Sequence, residues 1–179
     1  MAYEHVRCKH RRVTTIREFQ PRDAPVLWTL STLPNVGETA DSSVPLDLPA
    51  APAAPIQFAD LADVTASFAR PGGAFLIAEH HGHLVGMGGF RPNARGQAEV
   101  LRVRVHPAAR RIGIGRALMN GLETRATTRG FQEMFLDTAT NMPEAMAFYQ
   151  ALGYRETGRE SRPDWSWTLV YYTKQLPLR

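Results

Sequence analysis

"VHPAARRIGIGRALM", from Val105 to Met119, joins a strand-like segment to an apolar helix through a turn carrying three arginines and two glycines one residue apart. Upstream, "AEVLRVRV" (98–105) alternates apolar and polar residues as a half-buried strand does. Downstream, a helix from about Gly115 to Arg129 puts Leu118, Leu122 and Ala126 on one face, and Gly130 ends it. The turn therefore sits between a strand and a helix. There, glycines let the backbone approach a ligand, and the first helical amides point outward with the positive end of the helix dipole. Two familiar phosphate loops fail: a Walker loop needs a Gly-Lys-Ser/Thr end, and G-x-G-x-x-G needs Gly or Ala where Leu118 stands. What remains is Arg110-x-x-Gly113-x-Gly115, which suits a pyrophosphate. A plain structural turn with solvated arginines is the alternative that these six residues leave open.

Outward from the turn, the chain reads as a basic N-terminal arm over residues 1–12, flexible by composition, and a single domain over 13–179. "VTTIREF" (13–19) reads as a first strand and "PRDAPVLWTLSTL" (21–33) as a helix, with Asp23 as its cap. Residues 34–55, rich in Pro and Ala and without periodicity, read as a long loop or lid, disorder being the alternative. The loop precedes the hairpin strands, so it is expected beside the pocket for a second ligand rather than beside the anion turn. A short helix over 58–70 is followed by two strands joined at His81-Gly82. "FQEMFLDTA" (131–139) reads as a buried strand, "PEAMAFYQAL" (143–152) as a helix started by Pro143, and "WSWTLVYYTKQL" (165–176) as a long closing strand. The fold class is α/β in the wider sense, α+β, with a largely antiparallel first half.

The 179 residues suit one compact domain. The net charge of +4 comes almost wholly from arginine, since Lys9 and Lys174 are the two lysines. Guanidinium favours an anionic partner such as phosphate or carboxylate. A single cysteine, Cys8, excludes an internal disulfide and a four-thiolate zinc site, which fits a reducing cytosol. No signal-peptide-like run and no stretch of about 18 apolar residues is present. The expected location is cytoplasmic, without membrane association.

About thirty residues after the glycine turn, "TNMPEAMAFYQALGY" supplies a second pattern. Arg110, Gly113, Gly115, Asn141, Ala145, Phe148, Tyr149, Gly153 and Tyr154 stand in the order and spacing of the GNAT acetyltransferase superfamily, which the chain resembles over roughly residues 13–176. The resemblance implies a mixed, mainly antiparallel central sheet flanked by helices. It also implies acetyl-CoA as cosubstrate, with its pyrophosphate at Arg110, Arg111, Ile112, Gly113, Ile114, Gly115 and Arg116, and with Asn141 as a further binding residue. The pantetheine arm would pair with backbone along Val103 to Val105, and Tyr149 would lie near the sulfur as general acid. Arg111 and Ile112 depart from the small-then-basic pair common after the first arginine, so the side-chain part of phosphate binding differs here. Glu99, eleven residues before Arg110, holds the spacing of the general base in some members. A solvated strand-end glutamate is its structural alternative.

Other residues carry weaker signals. Glu79 and Asp137 are carboxylates at strand positions without that spacing. "HHGH" (80–83) lacks acidic or thiol companions, so no metal is expected. "WSWTLVYY" reads as a half-buried strand rather than a stacking platform for bases. The expected activity is N-acetyltransfer to a small-molecule or peptide amine by direct attack in a ternary complex. A non-catalytic CoA-binding domain is the alternative. Nucleic-acid binding is disfavoured, because the arginines are scattered and no recognition motif is present. Oligomeric state is open, a homodimer being one outcome.

Overall fold

The computed structural model describes residues 14–34 and 40–177, so the basic arm and residues 35–39 of the proline-rich loop lie outside the described residues. Strand β1 (Thr14–Glu18) leads through a 3-10 turn (Pro21–Asp23) into helix α1 (Ala24–Thr32). Asp23 does not cap α1 by its side chain. Because the 3-10 turn intervenes, its carboxylate instead accepts from the Gln20 amide and pairs with Arg17, each at 2.7 Å. The helix expected over 58–70 is replaced by a 3-10 segment (Ile56–Leu61) and one π-type turn (Thr65–Ala69). Phe58 leaves helical geometry there (φ −129°, ψ 57°), with its ring 4.6 Å from the Arg102 guanidinium.

Strands β2 (Ala74–His80) and β3 (His83–Pro92) form the hairpin read from His81-Gly82, both of which take positive φ, 52° and 81°. Then come β4 (Ala98–Val105), α2 (Ile114–Thr128), β5 (Glu133–Ala139), α3 (Pro143–Ala151), β6 (Arg155–Ser161) and β7 (Thr168–Gln175). These described strands make one sheet in the order β1-β2-β3-β4-β5-β7-β6, antiparallel except at β4–β5. Strand β6 has no counterpart in the reading above, and the closing strand is shorter than read. Trp165 and Trp167 precede β7 and stack on each other at 4.1 Å.

One face of the sheet buries Leu118, Leu122 and Ala126 of α2 against Leu76, Val100, Leu136 and Tyr172. The other buries Leu27 and Leu30 of α1 with Phe68, Phe75, Ile77 and Met87. Both faces are covered, and the sheet is held by about 25 cal/mol for each Å² of apolar surface removed from water.

Strand β4 does not alternate strictly. Ala98 and Val100 face the α2 core, so continued alternation would send Arg102 and Arg104 into it. Arg102 instead takes φ 60°, and the β3–β4 register shifts opposite it, between Met87 and Gly89. This bulge resets the phase, so that Val103 and Val105 pack on the α2 core and both arginines turn toward Phe58.

Candidate active site

Strands β4 and β5 pair only at Ala98↔Met134 and Glu99↔Phe135 and then part. Beyond Glu99, the β5-facing edge of β4 has no strand partner, leaving backbone donors and acceptors open. The glycine turn lies where β4 ends. Arg111 and Gly113 take φ 63° and 90°, and Gly113 starts α2 without a side-chain cap, so among the described residues the first-turn amides gain no capping acceptor from it. Gly115 lies against α3: a Cβ there would sit 3.2 Å from Phe148. A cavity of about 720 Å³ runs from this turn into the gap between the strands.

The buried His106 fixes the approach to the turn. Its Nδ1 accepts from the Ala108 amide at 3.1 Å, and its Nε2 lies 3.0 Å from the Pro45 carbonyl. Burial pushes this imidazole below its usual pKa, which favours the neutral ring that such bonding needs. The Asp41 amide donates to the Pro107 carbonyl at 3.0 Å, and Arg110 donates to the Pro34 carbonyl. The proline-rich loop thus contacts the segment entering the anion turn, which corrects the expectation that it borders only the acceptor side. Phe58, just after that loop, is on the cavity wall, whereas none of the described residues of 34–55 is.

The α1-side half of the cavity is lined by Phe58, Met87, Leu101, Arg102 and Arg104. Arg102 is held by Asp60 through two bonds of 3.1 and 3.0 Å. Arg104 donates to the Leu33 carbonyl, and burial with repulsion from Arg110 and Arg102 brings its pKa down to about 10, still charged at neutral pH. Across the gap stand Asp137 of β5 and Tyr149 of α3. Asp137 opens onto the cavity but is recessed among protein atoms, which raises its carboxyl pKa, while Arg102 pulls it back down. The Tyr149 phenol is pushed up by burial first and by the Asp137 charge second. Two more wall residues have buried oxygens without a hydrogen-bond partner among the described residues: Thr138 Oγ1 and Glu144 Oε2.

Of the residues singled out from sequence, the wall brings together Val103, Val105, Arg110, Arg111, Gly113, Ile114, Gly115, Arg116 and Tyr149. Ile112 is 53% exposed, and Asn141 is exposed ahead of α3; neither is on the wall. Glu99 is also off it, at the closed end of the gap, where it pairs with Arg91 and Phe135. Glu79 is taken up by Arg17 at 2.7 Å. His80 Nδ1 lies 2.8 Å from Thr14 Oγ1, and His83 faces Asp47 at 3.8 Å. Phe58, Arg102 and Arg104 carry no sequence signal for the site, because the bulge that aims the arginines is invisible in an alternating pattern.

Residues 44–154 match the Acetyltransferase (GNAT) family. Human N-acetyltransferase 8 is 31% identical over 120 residues, covering 64% of this chain and 53% of its own length. The chain spans about half the length of the curated relatives it matches. Among solved structures, a GNAT-family acetyltransferase from Staphylococcus aureus superposes with a TM-score of 0.72 at 18% identity, covering 92% of this chain and 100% of that one. A Salmonella typhimurium protein solved with its cofactor acetyl-CoA gives 0.66 at 20% identity, covering 92% and 94%. With the parted strands, the uncapped glycine turn and these matches together, the chain belongs to the acetyltransferase (GNAT) family.

Proposed function

We propose that this protein transfers the acetyl group of acetyl-CoA to a primary amine of a small molecule or peptide, by direct attack in a ternary complex. The observation that carries the reading is the parting of β4 from β5 beside an uncapped helix start, which leaves an open backbone edge and free amides along one cavity. The residues present fit acetyl-CoA. The amides of 113–116, with Arg110, Arg111 and Arg116, suit the pyrophosphate. The open edge of Val103 to Val105 suits the amides of pantetheine, and the orphaned oxygens of Thr138 and Glu144 are acceptors awaiting donors.

Acetyl-CoA supplies an activated thioester. The acceptor amine enters from the α1 side, past Phe58, Leu101 and Arg104. As the carbon–nitrogen bond forms and the carbon–sulfur bond breaks, the Tyr149 hydroxyl donates its proton to the departing sulfur. Burial and the Asp137 charge raise its pKa, so the phenol is in its donor form at neutral pH. Strand alternation turns two carboxylates to the acceptor face: Glu99, chosen by spacing, at the closed end and off the cavity wall, and Asp137 on the wall inside the gap.

The test is release of free CoA thiol against a panel of amino acids, polyamines, aminoglycosides and short peptides. Turnover with at least one class is expected. Tyr149→Phe should lower kcat by about 10²-fold, toward the low end for acid catalysis because thiolate leaves readily, with CoA affinity unchanged. CoA binding without release from any amine would contradict acetyl transfer and leave a non-catalytic CoA-binding domain.

A further inference from the structure

Strand alternation divides the gap between β4 and β5 into two sides. Leu136 is buried in the α2-side core, and Tyr149 packs against the same core. Asp137, next along β5, therefore points to the opposite face, the side from which Phe58, Leu101 and Arg104 line the cavity. Glu99↔Phe135 is the last β4–β5 pair, and Asp137 stands two residues further on, roughly 6–7 Å along the strand at about 3.3 Å per residue, within the gap itself. Glu99 stays behind, at the pair that closes the gap. Among the described residues, no neighbouring side chain donates a hydrogen bond to the Asp137 carboxylate, which leaves its lone pairs open to the cavity.

We infer that Asp137, not the spacing-matched Glu99, accepts the proton of the acceptor amine, and that Asp137 and Tyr149 work as a coupled proton pair across the reacting centre. This rests on the acetyl-transfer reading above. The amine nitrogen forms its bond to the thioester carbon and gives one proton to the Asp137 carboxylate. The carbon–sulfur bond breaks, its electron pair stays on sulfur, and the Tyr149 hydroxyl protonates that sulfur. The proton on Asp137 then returns through water to the Tyr149 phenolate, so both residues end as they began and one amine plus one thioester have become one amide plus one thiol.

The coupling has an electrostatic basis. The Asp137 charge helps to hold the Tyr149 proton in place, so a proton arriving on Asp137 removes that hold at the moment sulfur needs it. Among the described residues, Arg102 from β4, Tyr149 from α3 and Tyr171 from β7 act on Asp137 or feel its charge, and the other charged groups sharing its cavity are Arg104 from β4, Glu144 from α3, and Arg110, Arg111 and Arg116 at the turn and the start of α2. Recession among protein atoms raises the carboxyl, bringing it nearer the operating pH of a base.

The experiment has two arms on the full chain. In the first, kcat and kcat/KM are measured against pH for wild type, Asp137→Asn and Glu99→Gln, with CoA affinity measured in parallel. Asp137→Asn should lower kcat about 10²–10⁴-fold and abolish the acidic limb while CoA still binds, whereas Glu99→Gln should keep that limb. An acidic limb that survives in Asp137→Asn and vanishes in Glu99→Gln would overturn the assignment. In the second arm, which needs no acceptor, the Tyr149 phenol is titrated by tyrosinate absorbance, taken as the difference between otherwise identical proteins with and without Tyr149→Phe. Ionisation should move to lower pH in the Asp137→Asn background, and an unmoved titration would overturn the coupling. If wild type turns over no amine in the panel, the acetyl-transfer reading fails on its own, and the tyrosine titration still decides whether the two groups are paired.

Discussion

Arg102 is the residue on which the acceptor side turns. A side chain other than glycine in the left-handed region costs about 1–2 kcal/mol, and here the cost is met by the Asp60 bonds at 3.1 and 3.0 Å and by the Phe58 ring at 4.6 Å. In return, the bulge keeps two guanidinium groups out of the α2 core and sets one of them to act on Asp137. Arg102→Gly accepts the same φ and removes that charge. Since Arg102 lowers the Asp137 pKa, its loss should raise it, and the acidic limb of kcat/KM should move to higher pH. A pH–rate profile comparing wild type with Arg102→Gly checks this, and an unmoved limb would remove Arg102 from the account. The same variant leaves Asp60, 12% exposed, without its partner, so a fall in Tm should accompany the change.

At the scale of elements, the strands and helices with strong apolar periodicity were legible in the sequence: the β2–β3 hairpin, α2 with its Gly130 end, β5 and α3 all lie close to where they were read. What escaped lacks that signal. Strand β6 (RETGRES) is an edge strand, largely exposed on both faces, so no alternation marks it. The segment 56–69 has helical composition, but tertiary demands on Phe58, Leu61 and Phe68 break it into a tight 3-10 segment and a wider π-type turn. The glycine turn was legible because backbone geometry at a helix start depends on glycine spacing, and Tyr149 came from the family resemblance alone, whereas the place of Asp137 on the same cavity wall depends on where β4 and β5 part, which no local pattern records. The strap from Asp41 to Pro45 is held to the turn by a neutral His106, and this makes its stability pH-dependent. The folded-state pKa of His106 lies below the unfolded value of about 6.5. The unfolded chain therefore takes up the proton first as pH falls, so the contribution of the cap is complete above about pH 6.5 and is lost as pH drops through the folded pKa. His106→Asn keeps an acceptor for the Ala108 amide but cannot titrate. Between pH 7.5 and 5, wild type should lose more Tm than His106→Asn. Equal losses would mean that the imidazole is not the group responsible.

For the molecule as a whole, the open sheet divides labour between its two faces. The α2 face, with the glycine turn and α3, builds the side suited to the cosubstrate, and the α1 face, with Phe58 and the bulged arginines, builds the side proposed for the acceptor. The cavity where β4 and β5 separate is lined from both sides. We propose that this gap and its turn form a CoA site. Gly113 is the place to challenge it, because a Cβ there meets no atom within 4 Å, so a substitution costs backbone strain at φ 90° rather than a clash. That strain is about 1–2 kcal/mol, which a folded domain survives, while a carboxylate at Gly113 would stand against the pyrophosphate. The direct measurement is calorimetric titration of CoA into wild type and Gly113→Glu, with cooperative melting recorded for both. Saturable binding to wild type and none detectable to a folded Gly113→Glu are expected, whereas equal affinity in the two folded proteins would mean that CoA does not bind at this turn.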